Sequence, residues 1–171
     1  MSYNCAKISF LLLIIIFLLG GFFIWRIWWM PKEEGKMLPK DFELYYSFGV
    51  DEGNILDTKN NLYKKDMVCD SPLSFTVKLN ENEKKEIYNT IAENNFFNLK
   101  ENMLPPSGGA SCLPGFGFTL RVTANEKTKT IRWICGYPED GPDYLKLKNI
   151  TNVIDNIILQ KEKEMSIPEP R

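Results

Sequence analysis

The side chains that could do chemistry in this chain are its carboxylates and thiols, because it contains no histidine. The commonest general base is therefore missing, and so is every Ser-His or Cys-His pairing. Asp57, Asp66 and Asp70 are the acids that could serve a hydrolase, which would require two carboxyls within about 5 to 10 Å of each other in a pocket. Asp51, Asn54 and Asp57 offer oxygens to a cation, but they lack the Asp-rich loop and the closing bidentate Glu of a calcium hand, so a capped turn is the simpler reading. Glu139, Asp140 and Asp143 fall where a helix begins, and the helix dipole accounts for them. Ser107-Gly108-Gly109 lacks the Lys and the strand-to-helix setting of a phosphate loop. The expectation is a chain with no catalytic, cofactor-binding or metal-ligating set, and no cofactor.

Four cysteines are present: Cys5, Cys69, Cys112 and Cys135. No C-x-x-C occurs, and a zinc site would have to be built without imidazole. Cys112 with Cys135 is the first choice for a disulfide, with Cys69 to Cys112 and three buried reduced thiols as the alternatives. Tyr45, Tyr46, Tyr63 and Tyr88 stay open as a binding patch wherever strand parity turns them outward.

The elements that must position these groups begin with KISFLLLIIIFLLGGFFIWRIWWMPK. The 18 residues from Ile8 to Trp25 carry no charge, and as a helix they reach roughly 27 Å, close to the thickness of a hydrocarbon core. Ile8, Leu12, Ile16, Leu19 and Phe23 are its lipid-facing core. Trp25, Arg26, Trp28 and Trp29 are its interface anchors, the rings at headgroup depth and the guanidinium snorkelling outward. A cleaved signal peptide, which would make the protein secreted, needs small residues that Leu18 and Leu19 replace. A transmembrane anchor over 1–30 follows, then a juxtamembrane linker over 31–40. The Lys and Arg count favours a cytoplasmic domain, whereas the signal-like shape favours an extracytoplasmic one; we take the second.

The remaining 41–165 should form one α+β domain, with 166–171 an extended tail. Setting aside Lys7 and Arg26 leaves 19 basic residues against 22 acids, and no basic block interleaved with aromatics, which argues against a nucleic-acid partner. Phe42, Leu44, Tyr46 and Phe48 alternate as in a strand with one buried face. ILDTKNNLYKKDMV reads as a hairpin turning at Lys59-Asn60-Asn61, and Leu73, Phe75, Val77 and Leu79 as a further strand. Asn80-Glu81-Asn82-Glu83 is a capping box opening a helix through Ile87, Tyr88, Ile91 and Ala92, closed at Asn94-Asn95 and sealed onto the sheet by Phe96, Phe97 and Leu99. Residues 100–115 form a long Pro- and Gly-rich loop. A hairpin turning at Asn125-Glu126 pairs Val122 with Lys129, Leu120 with Ile131, Phe118 with Trp133 and Phe116 with Cys135. Leu147, Ile150, Ile154, Ile157 and Ile158 give a last helix to about Glu164. The sum is an antiparallel sheet with two helices packed on one face.

The series ILDT, KKDMV, EKKEIYNTIAENNFF and IPEP resembles envelope-attached small domains of low-GC Gram-positive bacteria, from about Phe42 to Arg171. The resemblance implies a location and a fold; it brings no activity or catalytic residue. This chain lacks the well-placed cysteine of lipid-anchored members. The expected protein is a single-pass membrane protein whose extracytoplasmic domain binds an envelope protein or component without catalysis. The alternatives are a membrane-tethered hydrolase using carboxylates, a secreted protein, or an assembly role through Gly20 and Gly21.

Overall fold

The computed structural model describes residues 37–104, 115–138 and 140–170, which belong to the second of the chain's two units, Gly35–Arg171. Among these residues no helix is long and apolar enough to cross a membrane. The expected span from Ile8 to Phe23, its anchors Trp25 to Trp29, and Cys112 lie outside them.

The chain opens as a meander: β1 (Glu43–Val50), β2 (Asn54–Asp57), β3 (Leu62–Met67) and β4 (Asp70–Thr76). Then come helix α1 (Glu81–Glu93), a 3-10 turn (Phe96–Asn98) and a two-residue strand β5 (Asn102–Met103). The hairpin β6 (Phe116–Ala124) and β7 (Lys127–Ile134) and the long helix α2 (Pro142–Glu164) complete the order. Seven strands form one sheet in the order β4-β3-β2-β1-β6-β7-β5. The α+β class is as expected. The purely antiparallel sheet is corrected, since β5 pairs in parallel with β7 through Asn102 to Arg132 and Met103 to Trp133. A strand therefore sits inside what the sequence showed only as loop, and its Met103 is fully buried.

One row of side chains runs across six strands: Ile131, Leu120, Tyr46, Leu56, Tyr63 and Phe75 are successive cross-strand partners. Because side chains alternate between faces with a period of two, that row fixes one face as core. Ile87, Ile91, Leu147, Ile150 and Ile154 from the two helices join the same core. Both expected hairpins form, and the second has the expected register, with Val122, Leu120 and Phe118 opposite Lys129, Ile131 and Trp133, and Cys135 N donating to Phe116 O at 2.9 Å. Asn125 and Glu126 both take positive φ, the geometry of a tight hairpin turn. Asp41 holds that turn, accepting from Asn125 N at 2.9 Å and Glu126 N at 2.7 Å.

The capping box is complete: Asn80 Oδ1 accepts from Asn82 N and Glu83 N, and Glu83 Oε2 accepts from Asn80 N. Both ends of the described domain touch the rest of it. Leu38 packs against the core, and Ile167 is buried with its N–H on Glu162 O at 2.9 Å. The tail thus turns back along α2 rather than leaving it.

Candidate functional site

The four tyrosines separate at once. Tyr46, Tyr63 and Tyr88 are buried, and Tyr45 alone lies on the outer sheet face, where the Arg121 guanidinium covers its ring at 4.8 Å. Alongside it Ser47 donates to Glu52 at 2.5 Å, and Glu52 in turn faces Arg132 at 3.5 Å. The outer face is largely paired within itself.

The three expected carboxylates do not converge on one task. Asp57 caps the β2–β3 turn, accepting from Lys59 N, Asn60 N and Asn60 Nδ2. Asp66 Oδ1 accepts from Val68 N in the β3–β4 turn, and Asp70 is exposed at the start of β4. Asn54 bridges strands, donating to Phe48 O and accepting from Asp66 N. Asp143 lies in the first turn of α2 and Glu139 outside the described residues. Among the described residues no group of three acids and cysteines could hold a metal ion.

What the sequence reading missed is a groove of about 410 Å³ where β1, β2 and β3 meet the second half of α2 and the returning tail. Its inner wall is charged. Strand parity that buries Tyr63 also turns Lys65 inward. On α2, Thr151, Asp155, Ile158 and Glu162 fall at helical spacing on one stripe, facing those strands. Lys65 Nζ lies 3.0 Å from Glu162 Oε2 and 3.5 Å from Glu169 in the tail. Tyr63 donates to Glu162 Oε1 at 2.5 Å, so both oxygens of Glu162 are engaged. Burial, and then the carboxylate of Glu162, push the Tyr63 phenol pKa well up.

Asp155 is the odd member. Burial raises its carboxyl to about 6, opposed by a hydrogen bond that the Tyr46 hydroxyl donates to it. Its Oδ1 is fully buried with no hydrogen-bond partner. A buried acceptor without a donor forfeits its solvation and gains nothing in return.

The rim of the groove is apolar. Val50, Val68, Phe116 and Leu159 all line it, and these are four of the nine large hydrophobic side chains exposed among the described residues. A charged floor under an apolar rim inverts the usual protein surface, where single exposed hydrophobics scatter. Such an arrangement is what a ligand site needs: apolar walls for affinity and a few fixed polar groups for orientation.

Two signals in the sequence point here in retrospect. Lys65 shares the strand parity of Tyr63 and Met67, and Glu162 continues the α2 stripe one turn past Ile158. The cysteines also divide. Cys69 is a free, exposed thiol in the β3–β4 turn, which removes both the Cys69 to Cys112 pairing and the set of three buried thiols. Cys135 is half-buried against the core and is not left free.

No family model matches the chain. No curated protein matches it either, so any reading of function stands on the groove and the sequence.

Proposed function

We propose that this protein is a single-pass membrane protein of the cell envelope whose extracytoplasmic domain is a non-enzymatic binding module, with the groove between β1–β3 and α2 as its binding site. The observation that carries the reading is the inversion at that groove, where Val50, Val68, Phe116 and Leu159 surround the buried Lys65 and Glu162. The uncharged run from Ile8 to Trp25 supports the anchor, and the likeness to envelope-attached domains supports the location. Cys112 as the disulfide partner of Cys135 belongs to the same proposal, because such a bridge persists in an oxidising compartment. The partner is an envelope protein or component and not a nucleic acid. The carboxylate hydrolase has weaker support, since Asp57 and Asp66 each spend acceptors on backbone turns.

The test is site-specific photo-crosslinking in living cells from Val68 and Phe116 on the rim, compared with Leu145, which is exposed outside the groove lining. An adduct formed from the rim positions only, and abolished by Leu159→Glu, is the expected result. Equal capture from Leu145, or an adduct that survives Leu159→Glu, refutes the groove as the site.

A further inference from the structure

The two edges of the sheet are built differently. β5 is only two residues long, and a short edge strand offers little to pair with. β4 runs for seven residues and is exposed at every position but Phe75. From Ser71 to Val77 it carries no charge, in a chain that is 25% Asp, Glu, Lys and Arg. The charged side chains that guard an edge against pairing are therefore missing. Pro72 and the register shift between Lys65 and Met67 blunt only the Asp70 end.

Parity decides what this edge offers. Val77 N donates to Asn61 O at 2.8 Å, and the register with β3 is constant from Thr76 back to Leu73, so Leu73, Phe75 and Val77 bond inward. The free N–H and C=O groups of Ser74 and Thr76, and the C=O of Pro72, thus point away from the sheet. Among the described residues no backbone group pairs with them. On the core side of the same strand Leu73 is 37% exposed, and Phe75 is only partly buried.

We propose that β4 pairs antiparallel with β4 of a second copy of this chain, across a two-fold axis at Ser74, so that two sheets become one. The strand complements itself. Ser74 donates to and accepts from Ser74 of the second copy, and Thr76 N donates to its Pro72 O. Pro72, having no N–H, forfeits only the bond to Thr76 O. Leu73 comes opposite Phe75 of the second copy on the core side, and each covers the other. The antiparallel sense also brings the Asp70 end of each strand to the exposed Lys78 end of the other, opposite charges at both rims. A parallel pairing would set like charge against like. A two-fold contact places each side chain near the axis against its own copy, so an uncharged centre is what it requires. The contact does not involve the groove, and it stands or falls separately. Its short edge buries less than a standard interface of about 1,600 Å², so association should depend on concentration.

The experiment uses the full chain in dodecyl maltoside micelles, with Cys69→Ser as the parent so that the exposed thiol beside the strand forms no cross-link. Ser74→Cys and Thr76→Cys are oxidised with copper-phenanthroline and compared with that parent. In the proposed register the two Cα atoms at position 74 stand about 5.5 Å apart, within disulfide reach. Those at position 76 stand roughly 14 Å apart, out of reach. Ser74→Cys should therefore form covalent dimer at least about tenfold faster than Thr76→Cys. Equal rates, or no dimer from Ser74→Cys above the parent, overturn the pairing. Light scattering gives the second readout. Ser74→Lys sets like charges together on the axis and should stay monomeric at concentrations where the parent doubles its protein mass, while mixing it with Ser74→Glu should restore the dimer. Ser74 is exposed, so neither substitution reaches the core. A dimer that survives Ser74→Lys runs through another surface and refutes β4, as does a parent that is monomeric at every concentration.

Discussion

Lys65 Nζ stands 3.0 Å from Glu162 Oε2, and the two side chains are only 7% and 9% exposed. A buried pair of this kind adds little net stability over an apolar pair of similar volume, yet breaking it strands a charge. Lys65→Met should therefore cost about 3 to 5 kcal/mol. Removing both charges, in Lys65→Met with Glu162→Gln, should recover at least about half of that. Urea melts of the four proteins of this cycle are the measurement, and additive losses would contradict the coupling.

Asp155 links stability to pH in an unusual direction. Its carboxyl is raised to about 6 in the fold from 3.8, so between those values the folded chain holds more protons than the unfolded one. Its contribution is thus fully present below about pH 4 and is lost as pH rises through about 6. The loss amounts to about 3 kcal/mol, at about 1.4 kcal/mol for each pKa unit. Asp155→Asn should abolish this component and be the more stable protein at pH 8. Thermal melts of both proteins from pH 4.5 to 8 should diverge over that window.

Val68 takes φ +61° in the β3–β4 turn and is 73% exposed. A β-branched residue is strained there and glycine is not. Val68→Gly should stabilise the domain by about 0.5 to 1 kcal/mol once the extra freedom of glycine in the unfolded chain is counted. A lowered urea midpoint would show that Val68 packs more than its exposure indicates.

The capping box offers a calibration outside the groove lining. Asn80→Ala deprives Asn82 N and Glu83 N of their acceptor and should cost about 1 kcal/mol. Hydrogen exchange should locate the loss in the first turn of α1.

Cys69 reports sidedness directly, because its thiol is free and exposed. With the domain outside, an impermeant maleimide should label intact cells at Cys69 without reductant. Reduction under denaturing conditions should then release Cys112 and Cys135 together. Labelling of Cys69 only after lysis would place the domain in the cytoplasm.

Much of this was legible along the chain. The register of the β6–β7 hairpin follows from Phe118, Leu120, Val122, Ile131 and Trp133, because a shift by one residue would turn all of them to water. The α1 start follows from the spacing of Asn80 and Glu83. Leu73 fails the same logic: its alternation reads as core, but β4 is an edge strand and Leu73 is 37% exposed. Alternation shows that two faces differ, and it does not show that a helix covers one of them. β5 escaped because two residues among prolines and glycines have no period to detect.

The sequence alone determined the strands of both hairpins, the two helices and their stops, since caps, turns and apolar periodicity act within a few residues of each other. The groove was decided by tertiary structure. Nothing in LYKKDM says which lysine turns inward until register fixes parity, and nothing marks Glu162 as its partner until α2 crosses the sheet. The Tyr63 to Glu162 hydrogen bond spans 99 positions, and a charge so remote in sequence can be buried only when the fold brings its counter-charge to it.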